Sequence, residues 1–160
     1  MIIESRRLAL AGALVGAMSL MATAANAGEC PAGKNGVNVM QPGATMPKGV
    51  TDKELAAIDL AKEMVKLSDR RLRIRRLVIQ PGGVVPWHSH ADRPALIYVV
   101  SGRITEYASN CSVPIVHKAG DVSRESNGVA HWWRNHTKSP VVLLSADVVH
   151  DQNDKDKKHM

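Results

Sequence analysis

The sequence predicts an all-β sandwich or barrel, and three observations carry that expectation. Short apolar runs recur at 72–79, 84–87, 95–100, 103–107, 113–117, 129–133 and 141–149. Turn signals separate them, at Pro81-Gly82-Gly83, Ser101-Gly102, Ala108-Ser109-Asn110, Gly120-Asp121, Asn127-Gly128 and Ser139-Pro140. Short strands at this spacing belong to sandwiches and barrels. The chain has 160 residues and no internal repeat, which suits one domain.

Residues 1–27 read as a leader. Arg6 and Arg7 form a positive start, an apolar run follows from Leu8, and Ala25-Asn26-Ala27 is a small-x-small cleavage site. The run is short for a membrane span, so the expectation is export to the periplasm or beyond, with no stable membrane anchor. Ser5-Arg6-Arg7-Leu8-Ala9-Leu10 also resembles a twin-arginine export signal. Residues 28–50 are rich in Gly, Pro, Asn and Ala and read as an extended arm. The domain is expected over 51–150. It opens with Thr51-Asp52-Lys53-Glu54, a capping-box pattern that predicts a short helix over about 52–58. Between Ile74 and Leu77 the apolar phase of the first strand slips, which predicts a bulge or a strand covered on both faces. Residues 151–160 are charged and read as a solvated tail.

The formal net charge is +6. This mild excess, together with export, argues against a nucleic-acid partner. Arg70, Arg71, Arg73, Arg75 and Arg76 form the one basic cluster. No aromatic residues interleave with it, and it reads as a solvated or dimer-edge strand. Cys30 and Cys111 are the two cysteines. They form either a disulfide, which an oxidising compartment favours, or two separate thiols.

Chemistry concentrates around His88, His90 and His131. His88 and His90 stand two apart on a predicted strand and share a face. His131 follows the Asn127-Gly128 turn at the start of another strand. Three converging neutral imidazoles suit iron, manganese, zinc, copper or nickel and leave coordination positions open. All three tryptophans adjoin these histidines: Trp87 precedes His88, and Trp132-Trp133 follow His131. By alternation Trp133 shares the face of His131, where it either walls a pocket or packs in the core. Arg93 and Arg134 are candidates to receive a carboxylate. No nucleophile elbow or phosphate loop is present.

Residues 82–102 read Gly82-x5-His88-x-His90-x4-Ala95-x6-Gly102, and residues 120–135 read Gly120-x5-Ser126-x-Gly128-x2-His131-x3-Asn135. The pair resembles the two cupin motifs over roughly residues 70–150. Two positions depart from the pattern: Ala95 stands where the first motif has Glu, and Ser126 where the second has Pro. The resemblance implies a double-stranded β-helix, a small jelly-roll barrel of six to eight strands, with one divalent transition metal held by His88, His90 and His131. Three-histidine sites occur in that superfamily, among dioxygenases for example, so it implies metal binding even without the acid. It also implies a homodimer, and a site of three neutral ligands keeps more positive charge than one with an acid, which favours a small polar or anionic ligand. The activity is expected to be dioxygenase-like or that of an isomerase or lyase; the alternative is non-catalytic binding of a small ligand or metal. A carboxylate from elsewhere can complete the site. Glu125 lies where similar cupins bury an apolar residue, as a further ligand, a partner of a ligating His or a general base; otherwise it sits on the surface beside Arg124. Asp92 and Glu106 are weaker candidates.

Overall fold

The computed structural model describes residues 29–37 and 43–151. The expected leader and residues 152–160 of the expected tail lie outside them. The described residues contain strands and no helix. The strands are β1 (Lys48–Asp59), β2 (Arg71–Ser89), β3 (Ala95–Ser101), β4 (Arg103–Ala108), β5 (Ile115–Lys118), β6 (Val122–Glu125), β7 (Ala130–Arg134) and β8 (Val141–Val149). They form one antiparallel sheet in the order β5-β4-β7-β2-β8-β3-β6, with β1 added to β2. The sheet curls into a nearly closed barrel, the double-stranded β-helix that the motifs imply. Among the described residues, no helix is long and apolar enough to cross a membrane.

The predicted helix at 52–58 is instead the body of β1. It pairs with β2 from Thr51↔Val78 to Asp59↔Arg71. The capping residues serve side-chain pairing: Asp52 meets Arg75 at 2.5 Å and Glu54 meets Arg71 at 3.1 Å. A local helix signal worth about 1 kcal/mol yields to a ladder with two ion pairs.

The predicted turn at Pro81-Gly82-Gly83 lies inside β2, which runs through it. Here β2 changes partners, from β8 and β1 over residues 71–79 to β7 over 84–89. Gly82 has φ +70°, and a Cβ on Gly83 would stand 2.7 Å from the Gln80 carbonyl oxygen. The fully buried Asn135 pins the corner: its Nδ2 donates to the carbonyls of Ile79, Gln80 and Ser139.

The apolar phase slip in β2 has another explanation than a bulge in that strand. Its register with β8 is unbroken from Arg71 to Ile79, and the irregularity falls on β1, between Glu54 and Ala56. Arg73, Arg75, Leu77 and Ile79 all face inward, while Leu72 and Ile74 face solvent. So Arg73 and Arg75 are buried, against the expectation of a solvated edge. Strand β6 is too short and polar (VSRE) to register as a strand in the sequence.

The apolar core lies inside the barrel, built on Leu77, Ile79, Val99, Ile104, Trp133 and Val141. Toward one end the inward rows turn polar. Strand register aligns Arg73, Asp147, Ala95 and Glu125 across β2, β8, β3 and β6. The next row is Arg75, Ser145, Ile97 and Ser123. Residues 28 and 38–42 of the expected arm lie outside the described residues; its described part, 29–37, is tied to the loop after β4 by the Cys30–Cys111 disulfide and a bridge between Asn35 and Cys111, as the cysteine count suggested.

Candidate metal centre

The three histidines are brought together. His88 lies near the end of β2, directly opposite His131 on β7. His90 lies just past the end of β2, where its N–H donates to the Val129 carbonyl. The ring centroids are 4.6–4.9 Å apart. Glu125 enters from β6, 3% exposed, with Oε2 at 2.9 Å from His90 Nε2 and Oε1 at 3.3 Å from His131 Nε2. One ligand atom from each of the four lies within 4.8 Å of every other.

The position of Glu125 explains Ala95. The two residues are direct partners across β3 and β6. The carboxylate missing from one strand is present on its neighbour, at the same level of the barrel and on the same inward face.

The hydrogen bonds select one ring nitrogen on each histidine. Nδ1 of His88 donates to the Pro86 carbonyl, Nδ1 of His90 to the Arg93 carbonyl and Nδ1 of His131 to the Glu106 carboxylate, at 2.8, 2.7 and 2.6 Å. Those oxygens accept, so in neutral rings Nε2 carries the lone pair. The three Nε2 atoms converge, and those of His88 and His131 are 3.2 Å apart. Two acceptors this close repel unless a proton or a cation lies between them. One proton serves one pair, whereas His90 Nε2 is also buried and has no aligned hydrogen bond, despite the nearby Glu125 oxygen. A single cation satisfies all three. Two nitrogens about 2.1 Å from one ion, at ordinary ligand angles, lie about 3.0–3.4 Å apart. The residues therefore fit a metal.

Electrostatics keep one ring neutral and favour a positive charge beside another. Burial, followed by the charge of His131, holds the His88 imidazole well below its usual pKa and keeps it neutral. Burial also opposes a charge on His131, but Glu125 and Glu106 outweigh it and raise its pKa. Burial alone would raise the Glu106 pKa, yet hydrogen bonds from His117 and His131 bring it down to about 2. Glu106 is thus a carboxylate joining two rings, His131 at 2.6 Å and His117 at 2.8 Å. Such a partner fixes the tautomer and orientation of a ligating histidine. His117 in turn stacks on Trp133, with centroids 4.4 Å apart.

The remaining candidates separate clearly. Trp133 is buried in the core and also walls the cavity beside the cluster. Arg93 is buried in that cavity wall rather than at an open mouth. Arg134 is exposed on the opposite face of β7 from His131 and Trp133 and is not among the described residues that line the cavity. Asp92 is exposed and bonded to His150. His117, which has no second histidine at strand spacing in the sequence, belongs to the support of His131 through Glu106. Its signal was phase: with Ile115 it occupies the inward face of β5.

Comparison with known proteins adds the family context. A family model described as a cupin domain matches residues 75–147, which include all four cluster residues. No curated protein matches the sequence. A predicted oxalate decarboxylase from Thermotoga maritima superimposes with a TM-score of 0.52 at 24% identity, over 66% of this chain and 86% of that one. KdgF from Halomonas sp. gives 0.50 at 17% identity, over 64% and 82%. The cupin domain of Schizosaccharomyces pombe Cnp3 gives 0.50 at 14% identity, over 73% and 76%. Likeness at these identities speaks to the fold.

Proposed function

We propose, from the cupin-domain match over residues 75–147, that this chain is an exported metal-binding cupin. One divalent transition metal would be held by His88, His90, His131 and Glu125, with a small polar or anionic molecule as ligand or substrate. The observation that carries this reading is the convergence of three Nε2 lone pairs and one carboxylate, with His90 Nε2 otherwise orphaned. Export is supported by the leader pattern and by the disulfide, which suits an oxidising compartment.

A bound ion at such a site supplies Lewis-acid polarisation or redox chemistry. The chain's own residues orient and enclose. Glu106 and the carbonyls of Pro86 and Arg93 hold the three rings in one tautomer. Leu77, Val85, Ile97, Leu143 and Trp133 give the cavity apolar walls that restrict water. Catalysis of the dioxygenase-like or the isomerase or lyase kind is one form of this reading. A non-catalytic binding role is the other, and one observation favours it: among the described residues, Glu125 is the only carboxylate in the cavity wall. If it ligates the metal, no free carboxylate base remains there.

The test is metal content by mass spectrometry on protein purified without chelator or nickel resin, beside His88→Ala. Near one equivalent of a transition metal, lost in the variant, is expected. Substoichiometric metal that the substitution leaves unchanged would overturn the reading. Oxygen uptake and product formation with small acids then separate an enzyme from a binder.

A further inference from the structure

The barrel has a seam. The sheet order ends in β5 and β6, which do not pair with each other. A groove of about 610 Å³ lies there, with Ile115 of β5 and Ser123 of β6 in its wall, within the size range of small-molecule sites. Among the described residues, it shares no lining residue with the histidine cavity. Its inner end is formed by Glu106 and Ser123, both buried. Glu106 meets the Nδ1 side of His131, away from the Nε2 that faces the cluster. Ser123 is 2% exposed, and its hydroxyl has no hydrogen-bond partner among the described residues. A buried hydroxyl without a partner calls for one in the groove. Each Glu106 oxygen accepts from one histidine and keeps a second acceptor position. The charges of the wall are already matched. Glu29 pairs with Arg124 at the exposed end, and Glu106 with His117 and His131. The side chains of Asn35, Asn110, Asn127 and Ser126 also line the groove and bond no other described residue. Ala108, Ile115 and Val129 add an apolar strip.

We propose that the seam groove is a second binding site, separate from the histidine cavity, for a neutral sugar of one or two rings. A charged ligand would compete with ion pairs that are already complete. A hydroxyl group both donates and accepts, so a row of them satisfies Glu106, which only accepts, together with the serine hydroxyls and the asparagine amides. The C–H face of a sugar ring suits the strip of Ala108, Ile115 and Val129. The arm completes the site, because Glu29, Cys30 and Asn35 belong to its wall and the Cys30–Cys111 disulfide holds them there. The site is therefore whole only in the oxidised protein. It does not rest on the metal reading above.

Calorimetric titration of the oxidised full chain tests this with glucose, galactose, mannose, xylose, maltose and cellobiose. The uronic acid and the amino sugar of the same ring serve as charged controls. At least one neutral sugar is expected to bind saturably, equally well to metal-loaded and metal-stripped protein, with the charged controls at least about tenfold weaker. Ser123→Ala should weaken that sugar about 3- to 10-fold. Asn127 has φ +56°, so Asn127→Gly keeps the turn while removing the amide, and should weaken the sugar similarly. Cys30→Ser with Cys111→Ser should lose the binding, because the arm is no longer held over the groove. Amide NMR shifts on titration should centre on Ser123, Asn127 and Gly128. Saturable binding by none of the six sugars overturns the proposal, as does a charged control that binds as well as its neutral parent. Shifts centred on His88 and His90 would place the sugar in the other cavity and also overturn it. If Ser123→Ala does not fold, undiminished binding by Asn127→Gly does the same. Sugar binding at the groove in a protein that never takes up metal would sustain this site and sink the metal centre, and metal uptake without sugar binding would do the reverse.

Discussion

At the scale of single residues, the site turns on where one carboxylate comes from. Ala95 has no donor atom, yet its partner across the β3–β6 ladder is Glu125, whose oxygens reach two of the three histidines. The barrel wall fixes the level of the carboxylate and leaves open which strand supplies it. Glu125→Ala should therefore lower metal affinity by about tenfold or more, and adding Ala95→Glu to that variant should restore part of it. Competition with a fluorescent chelator measures both, and a double variant no better than Glu125→Ala would refute the exchange. Glu106 acts one step further out, through the Nδ1 of His131. Removing such a partner typically costs about 10- to 100-fold in metal affinity. Glu106→Gln should show that loss in the same competition, Glu106→Asp less of it, and the His131 ring signals in NMR should shift with the change of acceptor. The sequence made the three histidines legible because they stand in a spaced frame. It left Glu106 and His117 obscure, because their roles depend on a β4–β5 hairpin that sets them beside Trp133 and His131.

At the scale of elements, the strand β2 teaches the most. Its first half reads as apolar residues interrupted by arginines, and average hydrophobicity would turn Leu72 and Ile74 inward. The fold does the opposite, because Asp147 and Asp52 wait inside for Arg73 and Arg75. Local pattern could not reveal this, since Asp147 lies 74 residues from Arg73 in sequence. The same long-range pairing took β1 out of the helix that its capping box favoured. Burial opposes ionisation of Asp147, but the hydrogen bond from Arg73 and the charges of Arg75, Arg73 and Arg93 outweigh it and hold its pKa below the usual carboxylate value. A depressed pKa adds stability above the unfolded-state value of about 4, and that stability is lost as pH falls through the folded-state value. Asp147→Asn removes it at every pH and leaves three buried arginines with one acid. Denaturant unfolding at neutral pH should show a loss of about 3–5 kcal/mol, and the acid limb of stability should flatten. Stability unchanged within about 1 kcal/mol would show that the cluster is not coupled as described. The arm gives a second case. The Cys30–Cys111 bridge closes a sequence separation of 81 residues. Replacing both cysteines with serine should cost about 2–5 kcal/mol and lower the melting temperature, with metal binding retained, because neither cysteine touches the histidine cluster.

At the scale of the whole molecule, the described residues leave one broad face of the barrel exposed. Leu72 and Ile74 on β2, Leu96 and Tyr98 on β3, and Val122 on β6 all point outward, each more than a third exposed. Register makes them neighbours: Ile74 and Leu96 flank Ala146 of β8, and Tyr98 lies between Leu144 and Val122. Burying Arg73 and Arg75 is what turns Leu72 and Ile74 out, so the polar end of the cavity and the apolar outer face are two sides of one choice of phase. Contiguous apolar surface of this kind marks an interface. A second copy presents an equally flat sheet, and two such faces pack about 10 Å apart with their side chains interleaved. The expected state is therefore a homodimer joined through this face. Sedimentation velocity on the protein should show a dimer at micromolar concentration. Ile74→Glu with Leu96→Glu should give a monomer that still takes up metal, because both side chains point away from the cavity. A parent protein that sediments as a monomer, or a double variant that remains dimeric, would place the contact elsewhere or remove it.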